Sequence, residues 1–284
     1  MVLRYKNNNG YKGKKESMIM IINGKFSDIN LMFEDFKTQC PWLNNIKEGC
    51  LSNEFFMAYY SYSKDEEFFQ TWKKWEEETR LIDSLRRQGK TTKKPCTGYF
   101  GMLVEWALKG EKGDTKRETD LEEGDIKTLP LIKRKNGTYA TKEKPTFTKM
   151  GGVDGVSDVK HKTEKGLFYI LFEHSSKSVF DRKFLTIAKV NFNSQTKLAF
   201  TRDASYYQQM WEEGDFSKFN THGNFLFEQG FYQDKKTQLI HLKQGGVGKA
   251  KTKSDGSYHM NFVLSTSIAK KIFIDDLNNY LSKL

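Results

Sequence analysis

The sequence contains few cysteines and no long apolar run, and both absences restrict the class of protein. Three cysteines stand among 284 residues, at Cys40, Cys50 and Cys96, and no two of them form a CxxC pair. This odd number argues against a disulfide framework or a zinc site, so we expect unpaired thiols in a reducing cytoplasm. The sequence contains no run of about 18 apolar residues, so it predicts no membrane span. The apolar run 18–22 is too short for a signal-peptide core.

Two common signals for phosphate and metal binding are also incomplete. The stretch Gly89-Lys90-Thr91-Thr92 has the end of a phosphate-binding loop, but the upstream glycine of such a loop is missing. The five histidines are scattered without the spacing of zinc ligands. The sequence therefore predicts neither a nucleotide-binding loop nor a zinc centre.

Basic and aromatic residues, by contrast, are abundant. The formal net charge is +11, the sequence pI is about 9.3, and aromatic residues make up 14% of the chain. A lysine-rich solvated surface is the simpler interpretation of such a charge. The aromatic content favours a nucleic-acid partner instead.

Composition divides the chain into three parts. Residues 1–17 are polar, basic and rich in Asn and Gly, which indicates a flexible arm. Residues 18–93 are expected to be a helical N-terminal region, in which Asp28 caps a first helix and 66–87 form a long amphipathic helix. Residues 94–284 alternate apolar runs of helical and strand character, so we expect a mixed α/β domain there.

The predicted elements of this last part are spaced along its whole length. We expect helices at 98–109, 206–213 and 265–284, and strands at 126–132, 167–172, 184–192, 238–242 and 258–264. Residues 133–165 are basic and rich in Gly and Thr, which predicts hairpin turns or an insertion.

Acidic residues converge around one predicted strand. Asp125 and Lys127 are two residues apart, so a strand places both side chains on one face. Asp120 comes from the preceding loop, and Glu105 comes from the helix before that loop. Mg²⁺ prefers hard oxygen ligands, and Asp120, Asp125 and the Ile126 carbonyl offer such ligands.

This grouping is suited to hydrolysis of a phosphodiester. A metal lowers the pKa of a bound water and neutralises charge on the scissile phosphate. Lys127 is placed to orient or deprotonate that water, or to stabilise the charge that builds on the phosphorus centre. An acid-x-Lys triplet alone is a common surface ion pair.

The motif around the triplet resembles the MutH family of DNA endonucleases, which contains a mismatch-repair nickase and GATC-cutting type II restriction enzymes. The helix Gly98-Tyr-Phe-Gly-Met-Leu-Val-Glu105 is similar to the family's G-(W/Y)-(I/F)-G-x-L-x-E helix. Asp120 matches the first metal acid, and Asp125-x-Lys127 followed by Thr-Leu-Pro matches the family's triplet, where Glu is usual in place of Asp125. The resemblance covers about residue 94 to the C-terminus.

The same resemblance suggests further site residues. Lys183, with Arg182 beside it, corresponds to a second catalytic lysine in a basic patch before a strand. Lys243 ends a segment similar to the strand before the family's DNA-reading loop. Tyr258 or His259 matches the position of an aromatic residue that senses adenine methylation, and the sequence does not separate the two.

Several lysines are candidates for DNA contacts. Lys93 and Lys94 precede the motif helix and are placed to hold a phosphate backbone. Lys249, Lys251 and Lys253 alternate in a Gly-rich loop, which gives one positive edge on an extended loop. The simpler interpretation of that loop is a solvated hairpin tip.

The resemblance implies a restriction-endonuclease-like mixed sheet flanked by helices, with a catalytic half at about 94–200 and a DNA-recognition half at about 201–284. It implies Mg²⁺-dependent cleavage of both strands of double-stranded DNA, with GATC as the expected site and a 5′-phosphate product. A cognate DNA methyltransferase that protects the same site is the expected partner system, and the enzyme is expected to be a monomer or homodimer without membrane association.

Three alternatives stay open at this level. One is a repair-type nickase that cuts one strand at GATC. Another is a non-catalytic basic protein that binds nucleic acid. A rival active site is offered by Asp154, Asp158 and Lys160, which repeat the acid, acid-x-Lys pattern, although their Gly- and Ser-rich surroundings favour a turn in a hairpin.

Overall fold

The computed structural model describes residues 2–3, 19–20, 27–95, 98–113, 120–142, 145–150, 155–213, 225–228, 231–232, 238–244, 260–264 and 278. The strands of these residues are β1 (Val2–Leu3), β2 (Ile19–Met20), β3 (Ser27–Leu31), β4 (Asp125–Lys133), β5 (Tyr139–Thr141), β6 (Thr146–Met150), β7 (Leu167–Glu173), β8 (Lys183–Phe192), β9 (Ile240–Gln244) and β10 (Met260–Leu264). The α-helices are α1 (Phe33–Gln39), α2 (Ser52–Ser63), α3 (Glu66–Arg87), α4 (Gly98–Lys109), α5 (Gly155–Lys165), α6 (Ser194–Glu212) and α7 (Phe225–Glu228).

The chain is mixed α/β and divides into two compact units. The five-stranded unit comprises residues 29–142 and 165–190, and the three-stranded unit comprises 1–28, 143–164 and 191–284. This division differs from the boundary near residue 94 that the sequence suggested. Within the described residues, no helix is both long and apolar enough to cross a membrane.

The five-stranded unit is built around a mixed sheet with the strand order β3-β8-β7-β4-β5. β4 and β7 run parallel, and Asp125 lies beside Leu167 at their common start. β7 pairs with β8 and β4 pairs with β5, both antiparallel. β7 is buried along six of its seven residues, as expected for the apolar run of a central strand.

Aromatic residues of α1 to α4 fill one side of this sheet. Phe55 of α2 and Phe100 of α4 both pack edge-on against Phe172 of β7, at ring-centroid distances of 5.9 and 5.0 Å. Asp65 caps α3 by accepting from the Phe68 N–H at 2.9 Å, and it also accepts from the Trp106 indole of α4 at 3.0 Å. Aromatic burial on this scale contributes most of the stability of such a core.

This core changes the expected organisation of the N-terminal region. Residues 27–31 form an edge strand of the sheet rather than the start of a helix, so the prediction that Asp28 caps a helix is wrong. α1 to α3 share one hydrophobic core with α4 and the sheet. They therefore belong to the body of the five-stranded unit and are not a helical extension of it. The predicted helices at 66–87 and 98–109 are confirmed with the same bounds.

The three-stranded unit contains an antiparallel sheet with the order β6-β10-β9 and the helices α5 and α6. Asp203 of α6 is fully buried, and the Arg202 guanidinium and the Tyr232 hydroxyl both donate to its carboxylate. The predicted strands near 240 and 260 are present, and the predicted helix at 206–213 is the end of the longer α6. The predicted hairpin turn at the rival acid-x-Lys pattern is wrong, because residues 155–165 form α5.

Candidate active site

The start of β4 brings the acid-x-Lys triplet into close contact. The Lys127 ammonium lies 2.5 Å from Asp125 Oδ2 and donates to the Ile126 carbonyl at 3.0 Å. The intervening Ile126 side chain is buried in the core below α4, because alternate residues of a strand project to opposite faces. The triplet therefore presents a carboxylate, an ammonium and a carbonyl oxygen together, as the sequence predicts.

Asp120 is fixed to this strand by a tight turn. Leu121 N–H donates to the Gly124 carbonyl at 2.9 Å, and Gly124 N–H donates back at 3.2 Å. The turn folds Asp120 onto β4, where its Oδ2 accepts from the Ile126 N–H at 2.7 Å. The two predicted metal acids are thus neighbours.

Asp120 is buried among other charged groups. Its pKa is raised to about 8 by burial, which is the largest cause, and by hydrogen bonding with and charge repulsion from Asp125. The Lys127 ammonium acts in the opposite direction, and a hydrogen bond with Glu105 adds to the increase. At neutral pH the cluster without a metal therefore retains a proton on Asp120, because adjacent carboxylates resist joint ionisation.

Glu105 reaches this cluster from α4. The helix is fixed by the buried side chains of Phe100 and Leu103, and Gly101 lies close to β4, since a Cβ there would be 3.4 Å from the Thr128 hydroxyl. Lys109, one turn further along, lies 3.8 Å from Glu105 Oε1. All three predicted carboxylates and Lys127 are brought together in the five-stranded unit.

The start of β7 lies directly against the triplet. Asp125 N–H donates to the Gly166 carbonyl at 3.2 Å, and a Cβ on Gly124 would be only 2.7 Å from that same oxygen. Lys165 precedes Gly166 in the chain and is exposed, and the sequence interpretation did not select this basic residue. The sequence shows a Lys-Gly pair before an apolar strand. Only the parallel pairing of β4 with β7 shows that this pair lies at the same end of the sheet as Asp125.

Tyr169 is a second residue that the sequence did not single out. It lies beside Lys127 in the parallel register of β4 and β7, with 1% of its surface exposed. Burial, together with the nearby charge of Asp125, raises the pKa of its hydroxyl well above the usual value. A neutral tyrosine therefore borders the Asp125–Lys127 pair on the inner side.

The structure does not bring Lys183 to the cluster. In the sheet register Asp125 lies beside Leu167, whereas Lys183 lies opposite Glu173 at the other end of β7. Six residues at about 3.3 Å per residue separate these positions by roughly 20 Å. The role of Lys183 as a second lysine of this site is therefore corrected.

Arg182 is also not exposed for the DNA contact that the sequence suggested. Its side chain is buried, its guanidinium lies 4.7 Å above the Phe100 ring, and its carbonyl accepts from the Ser52 N–H at 2.8 Å. A guanidinium held in this way packs in the core rather than contacting DNA.

The remaining predicted contact residues are spread over both units. Lys93 and Lys94 are exposed in the segment before α4, and Lys243 lies on β9 opposite Asn261 of β10. The other predicted DNA-contact residues lie outside the described residues: Lys249, Lys251, Lys253, Tyr258 and His259.

The rival acid-x-Lys pattern does not place its acid and lysine on one face. Asp158 and Lys160 lie on α5, where residues two apart point to nearly opposite sides of the helix. Asp154 lies outside the described residues.

The donors at β4 are chemically suited to Mg²⁺, although they are not preformed as a complete shell. In the described part of the chain, no three His, Cys, Asp or Glu side chains are already grouped as metal ligands. Yet the Lys127 ammonium is in contact with two of the three predicted donors, Asp125 Oδ2 and the Ile126 carbonyl. Oxygens that hold a cation here, beside a protonated Asp120, fit a hard divalent ion.

Comparison with known proteins adds no assignment to this geometry. No protein-family model matches the chain, and no curated protein matches it.

Proposed function

We propose that this protein is a sequence-specific, Mg²⁺-dependent double-strand DNA endonuclease with a restriction-endonuclease-like core of the MutH type. The observation that carries the proposal is the contact of Lys127 with Asp125 at the start of β4, beside Asp120 and Glu105. Three carboxyl groups and an ammonium in one cluster serve phosphodiester hydrolysis better than they serve stability, because crowding of carboxylates raises the energy of the folded state.

Each residue has a defined place in the proposed reaction. Asp120, Asp125 and the Ile126 carbonyl would hold Mg²⁺. When bound, Mg²⁺ supplies the positive charge that neutralises the scissile phosphate and lowers the pKa of the attacking water. Lys127 orients that water or takes its proton, or its ammonium stabilises the negative charge that builds on the phosphate oxygens. Glu105 places a third carboxyl group beside Asp120.

Electrostatics also supports an enzyme over a simple binding protein. Three carboxylates repel a polyanion, so a protein that only binds DNA gains nothing from placing them beside its ligand. The overall charge of +11 and the exposed Lys93 and Lys94 before α4 supply attraction to the DNA backbone. A cation at the acids removes the local repulsion and makes the same surface suitable for DNA.

The resemblance to the MutH family supports a proposed DNA target and biological role. GATC is the proposed site, with 5′-phosphate products, and a methyltransferase that modifies the same site is the proposed partner system. We favour a type II restriction enzyme over a repair nickase because the chain carries additional elements before the motif helix and between β4 and β7.

The direct test is incubation of purified protein with unmethylated plasmid, with and without Mg²⁺. We expect discrete linear fragments only with Mg²⁺, and sequencing of their ends gives the site. Asp125→Asn should abolish cleavage, whereas the matched Asp158→Asn should cleave like the wild type. Nicked circles alone would indicate the repair-type activity. A salt-sensitive gel shift without cleavage, unchanged in Asp125→Asn, would replace the enzyme with a binding protein.

A further inference from the structure

A cavity of about 550 Å³ lies at the far end of β7 from the acid cluster. Lys183, which does not reach the acid cluster, lines this cavity together with Lys177 and His174. These residues come from the end of β7, the following loop and the start of β8. The cavity lies wholly within the five-stranded unit.

We propose that this cavity binds a phosphate group. The site is distinct from the acid cluster and does not depend on the nuclease activity proposed above. It would accept the terminal phosphate of a small molecule or one phosphate of a nucleic-acid backbone.

The charge around the cavity favours an anion. Its two acids, Glu173 and Asp181, already have partners in the protein. The Tyr139 hydroxyl donates to Glu173 Oε2 at 2.8 Å, and the Arg80 guanidinium lies 3.7 Å from Asp181. Each acid therefore has a partner that does not line the cavity, a hydrogen-bond donor for Glu173 and a nearby positive charge for Asp181.

The lysines around the cavity outnumber its acids. Lys177 and Lys183 are exposed lining residues, and the Lys142 ammonium lies 3.4 Å from His174 Nδ1. These three lysines against Glu173 and Asp181 give a local charge of +1 with His174 counted as neutral, because Arg80 is also paired with Glu76 at 2.9 Å and adds no net charge. Ammonium groups are common phosphate ligands.

Neutral donors complete a site suited to an oxyanion. Ser175 and Ser176 line the cavity, and the Ser175 hydroxyl accepts from the Lys177 N–H at 3.1 Å, which leaves its own proton to donate elsewhere. His174 adds an imidazole ring whose nitrogens donate or accept according to its tautomer.

The same residues do not form a cation site. Within the described residues no three His, Cys, Asp or Glu side chains are grouped to hold a metal ion, although His174, Glu173 and Asp181 all line this cavity. The acids are engaged with Tyr139 and Arg80 instead. An anion therefore fits the available donors better than a metal does.

The test is a titration with inorganic phosphate at constant ionic strength, followed by the ring NMR signals of His174. These signals are assigned by their loss in His174→Asn. We expect saturable shifts in the wild type, and at least tenfold weaker binding in the double variant Lys177→Gln/Lys183→Gln. The matched double variant Lys74→Gln/Lys135→Gln removes the same charge from exposed positions outside the cavity and should stay within about twofold of the wild type.

Thermal melting confirms that both double variants are folded. His174 signals that do not move, or equal weakening in both double variants, would overturn the site. A second arm compares a mononucleotide with a short duplex that lacks GATC. Tighter binding of the mononucleotide identifies a small-molecule phosphate, and tighter duplex binding that the cavity variant loses identifies a backbone phosphate. The arms use the metal-free protein, so loss of nuclease activity does not affect them.

Discussion

Two of the acid-x-Lys triplets in this chain, at residues 125–127 and 158–160, differ because one is on a strand and the other is on a helix. On β4, Asp125 and Lys127 project from one face and meet at 2.5 Å. On α5, Asp158 and Lys160 are separated around the helix axis. A two-residue spacing therefore has chemical meaning only with the backbone conformation that accompanies it.

The largest expected effect separates the two lysines of these triplets. Lys127→Ala should reduce Mg²⁺-dependent DNA cleavage by about 10²–10⁴-fold, the range typical of losing a general base or a charge-stabilising group. Lys160→Ala should change the rate less than about twofold. The measurement is the initial rate of plasmid cleavage for both variants. Equal losses in the two would contradict the distinction between strand and helix.

The second prediction concerns the lysine that complements the β4 triplet. Lys165 is the last residue of α5 and adjoins Gly166, whose carbonyl accepts from the Asp125 N–H. We expect Lys165→Ala to lower the cleavage rate about 10- to 100-fold, as loss of one positive charge near a reacting phosphate does. Lys183→Ala should leave the cleavage rate of a short duplex nearly unchanged.

Comparison of the two variants at saturating DNA separates chemistry from binding. A loss confined to Lys183→Ala would restore the assignment that the sequence suggested and would contradict the register of β7 and β8.

The third prediction tests the close packing of β4 against β7 beside the Asp125-x-Lys127 triplet. Gly124→Ala would place a Cβ about 2.7 Å from the Gly166 carbonyl oxygen, so β4 and β7 must separate at their start. We expect a loss of about 1–3 kcal/mol in the free energy of unfolding, the usual cost of overpacking, together with weaker cleavage. Denaturant unfolding measures the first effect. A variant as stable as the wild type would show that the two strands do not approach this closely.

The last prediction is a difference in pH dependence between the acids of the two regions. The folded-state pKa of Asp120 is raised to about 8 from 3.8, so the folded protein holds a proton that the unfolded chain has released. The contribution of Asp120 to the free energy of unfolding is therefore greatest below about pH 4. It is lost as the pH rises to about 8, by at most about 1.4 kcal/mol per pH unit.

Thermal melting in EDTA between pH 5 and 8 measures this dependence. Asp120→Asn should flatten the decline of the melting temperature with pH, and Asp158→Asn should keep the wild-type slope. Parallel slopes for all three proteins would show that Asp120 titrates normally.

Local sequence patterns predicted those parts of the molecule that depend on local physics. The bounds of α3 and α4 followed from apolar periodicity, and the meeting of Asp125 with Lys127 followed from the alternation of a strand. The edge strand β3 was missed because its pairing partner, β8, lies more than 150 residues away in the sequence. Such pairing leaves little trace in local composition.

The error over Lys183 has the same origin. Sequence order places Lys183 before an apolar strand, as the motif requires, but β8 runs antiparallel to β7, so its first residue lies at the end of the sheet remote from Asp125. Lys165, the last residue of α5, precedes Gly166 and the start of β7, so its backbone lies at the Asp125 end of the sheet. The direction of a strand is set by tertiary pairing and is not encoded in its own residues.

The contact of Lys127 with two metal-donor oxygens means that the acid cluster carries a tethered counter-ion. A tethered ion cannot be removed by dilution, so free Mg²⁺ must compete with it at a fixed effective concentration. A phosphate that arrives with the metal gives the released ammonium a new anionic partner and favours the exchange. In the proposed nuclease, thermodynamic reciprocity would make DNA tighten metal binding by the same factor as the metal tightens DNA binding, so the protein without DNA would be weakly loaded with Mg²⁺.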